Sequence, residues 1–112
     1  MKTLLYLIFL LVASSAFSQS IFPVQYESQA DLKVYIVDYE SQADLNVYVV
    51  QYESQADEDG LWYFVGYESQ ADFTVYFVQY ESQADLTVYK VKYESQAGWN
   101  DKSKSYLLMK NN

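Results

Sequence analysis

From Val37 to Val47 the chain alternates. Val37, Tyr39, Ser41, Ala43, Leu45 and Val47 are apolar or small, and Asp38, Glu40, Gln42, Asp44 and Asn46 between them are polar. A period of two is that of a β-strand with one wet face, whereas an amphipathic helix needs a period near 3.6. Tyr48 and Val49 then stand side by side before Val50 restarts the alternation. Two adjacent apolar residues place side chains on both faces, so this stretch is covered on both sides or bends the chain.

The pattern belongs to a repeat. Tyr-Glu-Ser-Gln-Ala begins at Tyr26, Tyr39, Tyr52, Tyr67, Tyr80 and Tyr93, in steps of 13, 13, 15, 13 and 13 residues. Self-similarity at a fixed short period is the mark of a repeat architecture. The longer third step carries Asp57-Glu58-Asp59-Gly60 in place of the usual Asp-Leu. Inserts are tolerated in loops, which puts a bend near Ser-Gln-Ala-Asp and the strand core at Leu-x-Val-Tyr-x-Val-x-Tyr, as from Leu32 to Tyr39. The predicted fold is therefore all-β: one small domain of six tandem strand-turn repeats of about 13 residues, with a β-solenoid or an antiparallel meander as the alternative arrangements. On this reading Val37, Tyr39, Val50, Tyr52, Val65, Tyr67, Val78 and Tyr80 share a buried face.

Composition supports strands: 13 of the 112 residues are Tyr, and aromatic residues make up 19%. The formal charge of −8 disfavours nucleic acid as a partner, and the absence of Cys and His removes disulfides and thiolate or imidazole metal sites. Charge is unevenly placed. Residues 19–89 hold 13 acids and one Lys (−13 + 1 = −12), and residues 90–112 hold five Lys and two acids (+5 − 2 = +3). A basic end on an acidic body favours docking of the C-terminal segment onto earlier repeats.

Residues 1–18 have the form of a signal peptide. Lys2 precedes the apolar run Leu4 to Val12, and Ala16-Phe17-Ser18 fits a small-x-small cleavage site, with Gln19 as the expected mature start. The run is shorter than the roughly 20 residues of a membrane span. The expected organisation is a signal peptide over 1–18 and a β-repeat domain over 19–112 without a membrane span, in a secreted, periplasmic or cell-surface protein.

The Y-E-S-Q-A-D-L-x-V-Y units, the leader and the closing Ser95-Gln96-Ala97-Gly98-Trp99 resemble the septoil-knot family of short bacterial repeat proteins. The resemblance extends from Ile21 to about Leu108. It implies a small β-rich domain whose backbone is knotted, against the general rule that chains do not thread loops. It brings no catalytic residues to map.

Candidate chemistry is sparse. Six repeated glutamates (Glu27, Glu40, Glu53, Glu68, Glu81 and Glu94) suggest carboxylate pairs, but glycoside hydrolysis needs two carboxyls in unlike environments, and repeats make like ones. Asp57, Glu58 and Asp59 offer hard oxygen ligands for Ca²⁺ but lack the spacing of a calcium loop. Tyr35, Tyr48, Tyr63, Tyr76 and Tyr89, with Trp62 and Trp99, form either a sugar-binding platform or core packing with hydroxyls at the surface. The motif Ser has no His to activate it and suits a turn. No catalytic, cofactor or metal residue is assigned. The expected function is a structural or interaction role towards a protein or glycan, without catalysis; the alternative is a glycan- or peptide-binding module at the cell envelope. An exposed aromatic row favours that alternative.

Overall fold

A computed structural model describes residues 19–109; the signal peptide expected over 1–18 lies outside them. Seven strands are present: β1 (Ser20–Pro23), β2 (Leu32–Ile36), β3 (Leu45–Val49), β4 (Leu61–Phe64), β5 (Phe73–Phe77), β6 (Leu86–Lys90) and β7 (Gly98–Trp99). The apolar positions of the predicted alternation face inward, but the polar positions between them in β3, β5 and β6 are buried too. Leu32 and Val34, Leu45 and Val47, Phe73 and Val75, and Leu86 and Val88 are buried in one core with Ile21 and Trp62.

The arrangement corrects both alternatives drawn from the sequence. β1, β5, β2, β6, β3 and β4 pair in that order, and β4 pairs back to β1, so the sheet closes into a six-stranded barrel. All six pairings in the barrel are parallel, which overturns the meander, and closure of the sheet on itself overturns the solenoid. Only β7 runs antiparallel; it pairs with the start of β3, Leu45 opposite Trp99, while β4 pairs with the end of β3 at Tyr48 and Val49. Near-identical repeats say which residues form strands but not which strand each will find, because every repeat presents the same edge.

The chain circles the barrel twice. β1, β2 and β3 take alternate places on the first circuit, and β4, β5 and β6 fill the gaps on the second. Each connection must return from the end of one strand to the start of the next parallel one. Residues 37–44 do this between β2 and β3. Eight residues reach roughly 26 Å when extended, enough to run back along a five-residue strand of about 17 Å. In each connection Glu-Ser-Gln forms a single 3₁₀ turn, such as Glu40–Gln42, closed by the Ala43 N–H donating to the Glu40 carbonyl at 3.1 Å. The bend anticipated at Ser-Gln-Ala-Asp is this turn.

The one 15-residue step has a topological reason. β3 and β4 are adjacent in the barrel, whereas every other consecutive pair from β1 to β6 is separated by one strand. The extra residues make this switch between circuits, and Gly60 makes it possible. Its φ is +95°, and a Cβ there would lie 2.6 Å from the Asn46 carbonyl oxygen and 2.9 Å from the Gly98 nitrogen.

The expected buried face was half right. Val37, Val50 and Val78 are buried, and each N–H continues the sheet by donating to a neighbouring strand, as Val37 does to Val88 at 2.9 Å. Val65 is half-buried. Tyr39, Tyr52, Tyr67 and Tyr80 are instead 64–71% exposed. Two-residue alternation persists only along an extended strand. The backbone bends at Asp38-Tyr39 and enters the 3₁₀ turn, so the parity that buries Val37 does not carry to Tyr39.

The docking of the C-terminal segment is seen directly. Residues Lys102–Leu108 form a 3₁₀ helix whose Leu108 is buried against the barrel core, with Trp99 and Leu107 packed beside it. The Lys104 Nζ donates to Asp44 Oδ2 at 3.0 Å, just ahead of β3, and the Asn100 N–H donates to the Asp44 carbonyl at 2.8 Å. The segment therefore covers the end of the barrel where the strands begin.

Candidate binding surface at the barrel mouth

Parallel strands put all their C-termini at one end. The last residues of β1 to β6 are Pro23, Ile36, Val49, Phe64, Phe77 and Lys90. Ile36, Val49, Phe77 and Lys90 share the inward parity of the buried Val34, Val47, Val75 and Val88, and Phe64 shares that of Trp62. At the mouth they meet solvent: Ile36 is 46% exposed, Val49 38%, Phe64 36% and Phe77 37%. Between them lies a cavity of about 100 Å³, walled below by Val47, Trp62 and Val88.

Trp62 is the least expected member. It is 1% exposed and meets Phe64 edge to face, ring centres 6.4 Å apart at 80°. Its indole Nε1–H has no hydrogen-bond partner. A buried donor left unmade costs about 1–3 kcal/mol, so this one stands out from an otherwise satisfied core. The sequence reading placed Trp62 in a platform with Tyr35, Tyr48, Tyr63, Tyr76 and Tyr89. Those five tyrosines are half-buried, Trp62 lies in the cavity wall, and Trp99 is half-buried against the core.

The exposed aromatic row consists of other residues. Tyr26, Tyr39, Tyr52, Tyr67, Tyr80 and Tyr93 each follow the end of a strand by three residues, and each is 64–71% exposed. They ring the same end of the barrel as the apolar mouth.

The acidic residues divide by task. Asp59 is a structural junction: its Oδ1 accepts from Gln19 Nε2 at 2.5 Å and its Oδ2 from Trp99 Nε1 at 2.6 Å, tying β1, the insert and β7 together. Asp57 and Glu58 are exposed. Among the described residues no three acidic side chains converge as a cation cage. The repeated glutamates are distributed around the barrel with their repeats. Glu40 accepts from Asn46 Nδ2, Glu53 accepts from Ser20 Oγ, and Glu27 pairs with Lys33 at 3.6 Å.

Sequence reasoning missed the motif aspartate. Asp31, Asp44, Asp72 and Asp85 each accept from a backbone N–H of a strand of the other circuit, at Thr74, Thr87, Ser20 and Lys33 respectively. Thr74, Thr87 and Asn46, which lie on the face read as wet, are buried under the connections and hydrogen-bonded there. Hydrogen bonds from Ser103 hold the Asp101 carboxyl below the usual range. The hydrogen bond to Asp44 holds the Lys104 ammonium above its ordinary value. No helix among the described residues is long and apolar enough to cross a membrane.

Comparison with known proteins adds one finding. The model of a family described as the 7(1) septoil knot domain matches residues 18–100. A search of curated proteins found no match.

Proposed function

We propose, from the premise that this chain belongs to the septoil knot domain family, that it is an exported interaction protein that works by presenting a surface and not by catalysis. The observation that carries this reading is the ring of six motif tyrosines, each about two-thirds exposed at one end of a rigid barrel. An exposed Tyr offers a flat apolar face and a hydroxyl, which suits stacking on a sugar ring or packing on an extended peptide. Of the two, the glycan reading is favoured by the acidic charge, since neutral glycans need no electrostatic match.

Export rests on Lys2, the apolar run to Val12 and Ala16-Phe17-Ser18. Mass spectrometry of the native protein should find a mature terminus at or near Gln19; intact Met1 would count against it. A knotted backbone is supported by the two interleaved circuits and by the family's own description. Freshly synthesised chain should then reach the native state more slowly than chain refolded after brief denaturation, and equal rates would argue against threading.

The test of the surface is an array of cell-envelope glycans probed with the wild type and with Tyr39→Ala/Tyr80→Ala. The expected result is saturable binding that the double variant loses while keeping its melting temperature. Absence of binding to glycans and to envelope peptides alike would leave the structural role as the better reading.

A further inference from the structure

We propose that Asp59-Gly60 is a covalent modification site, at which the chain isomerises through a succinimide, and that the side chain of Gln19 holds it shut.

Asp59 and Gly60 form the one Asp-Gly pair in the sequence. In such a pair the glycine nitrogen loses its proton and attacks the aspartate Cγ. A five-membered succinimide closes and water leaves. Water then reopens the ring at either carbonyl. Opening at the former main-chain carbonyl leaves isoaspartate, with the backbone rerouted through Cβ and no net change in mass. No oxidant or cofactor takes part. Glycine permits the attack because no side chain shields its nitrogen. The motif aspartates Asp31, Asp44, Asp72 and Asp85 are followed by Leu or Phe, whose side chains obstruct the same attack.

Both reacting groups are engaged in the fold, and one residue engages both. The Gly60 N–H donates to Gln19 Oε1 at 3.1 Å. Gln19 Nε2 donates to Asp59 Oδ1 at 2.5 Å, and Trp99 Nε1 donates to Asp59 Oδ2 at 2.6 Å. The amide of Gln19 thus bridges the carboxylate that must be attacked and the nitrogen that must attack, and it keeps each from turning toward the other. The bridge is itself fixed. Gln19 is buried; its N–H donates to the Ala56 carbonyl and its carbonyl accepts from the Tyr63 N–H, both at 3.0 Å. The Gly60 carbonyl is held as well, by the Tyr48 N–H at 2.8 Å. Isomerisation therefore requires local opening of this junction.

Once made, isoaspartate does not fit the site. An extra backbone carbon has to be housed where even a Cβ on Gly60 would stand 2.6 Å from the Asn46 carbonyl oxygen. The modification is a one-way release of the switch between β3 and β4. The latch itself does not depend on export. Under the export proposed above, however, Gln19 becomes the terminal residue. Its loss to an aminopeptidase, or its cyclisation onto its own amine with departure of ammonia, would remove Nε2, free Asp59 and start the change.

The experiment stores the full chain in neutral buffer and follows isoaspartate at residue 59 by peptide mapping, with the succinimide identified as a species lighter by one water. Gln19→Met keeps the shape of the side chain and loses both contacts. It should isomerise about tenfold faster than wild type or more, the factor implied by losing one hydrogen bond to a charged group. Trp99→Phe frees Asp59 Oδ2 alone and should accelerate the change by less. Val37→Ala weakens the core away from the junction and should isomerise at the wild-type rate. Hydrogen exchange on the wild type gives an independent reading, in which the Gly60 amide should be protected. Three results would overturn the proposal: equal rates in wild type and Gln19→Met, a Val37→Ala rate matching that of Gln19→Met, or a Gly60 amide that exchanges as fast as a free peptide. The second would place the protection in global stability and not in the latch.

Discussion

Asp44 and Thr87 lie 43 residues apart and exchange two hydrogen bonds: the Asp44 N–H donates to Thr87 Oγ1, and the Thr87 N–H donates to Asp44 Oδ2, both at 3.0 Å. Asp31 and Thr74 repeat the exchange one unit earlier, at 2.9 and 3.0 Å. In each case a residue leading into a first-circuit strand is clamped to a second-circuit strand. Asp44→Ala should therefore cost roughly 2–4 kcal/mol, since a hydrogen bond to a charged group contributes about 1.5–3 and this carboxylate also holds Lys104. Thr87→Val should cost about 1–2 kcal/mol. The double variant should cost less than the sum, because each side chain holds the other residue's backbone in one shared clamp. Urea unfolding of the four proteins closes the cycle; strict additivity would show that the clamp is not a unit.

Burial separates the Val and Tyr of each repeat. Val37→Ala, Val50→Ala and Val78→Ala should each cost about 1–3 kcal/mol through lost transfer energy and a residual cavity. Tyr39→Ala and Tyr80→Ala should change stability by no more than about 0.5 kcal/mol. Thermal melts of the five variants decide the matter, and a Tyr variant as unstable as the Val variants would mean that the tyrosines pack in solution.

Gly60→Ala should be among the most damaging single changes in the chain. A left-handed backbone costs a non-glycine residue about 1–2 kcal/mol, and the new methyl would also strike the Asn46 carbonyl and the Gly98 amide. Gly66→Ala meets no atom within 4 Å and serves as the control. A melting temperature for Gly60→Ala equal to that of the control would show that the circuit switch tolerates another path.

The Lys104–Asp44 contact has a defined pH window. The folded value for Lys104 is raised above the ordinary 10.5, so its contribution is complete below that value and fades as pH rises through the folded one. The Lys104 side chain is 38% exposed, which limits the effect to below about 1 kcal/mol. The stability difference between wild type and Lys104→Met should be constant from neutral pH to about 10 and shrink above it. A difference that grew with alkalinity would contradict this assignment.

Leu108 closes one end of the core, and its removal should act on the rate of opening. Leu108→Ala should cost about 2–5 kcal/mol, and deletion of 99–112 more, because β7 and the Asp59–Trp99 bond leave with it. Docking that forms late in folding is absent from the transition state, so the loss should appear mainly as faster unfolding in denaturant. Unchanged unfolding arms would place the segment outside the cooperative unit.

Much of the local structure was legible, and the reasons are local. Leu32, Val34 and their counterparts alternate over five residues, the distance over which a strand persists here, and Ser-Gln-Ala-Asp carries its own bend. The charge split between body and end pointed to the docking that Lys104 and Asp44 make. Pairing was not legible, because the partners of Leu32 and Leu45, Val75 and Val88, sit in the same motif position. One signal was present and unused: the two extra residues before Leu61 mark the one place where successive barrel strands become neighbours. The mouth was invisible because it depends on closure, and without closure Ile36, Phe77 and Lys90 are merely strand ends.

Interleaving divides the barrel strictly by halves. β1, β2 and β3 pair only with β4, β5, β6 and β7, and no two strands of the same half touch as partners. A chain emerging from the ribosome up to Gln55 holds three strands and not one ladder between them. Nothing in that first half can start a sheet, so assembly waits for the second circuit, whose first strand β4 pairs with both β1 and β3. Under the export proposed above, which needs the chain as an open thread, the winding order itself would act as the delay.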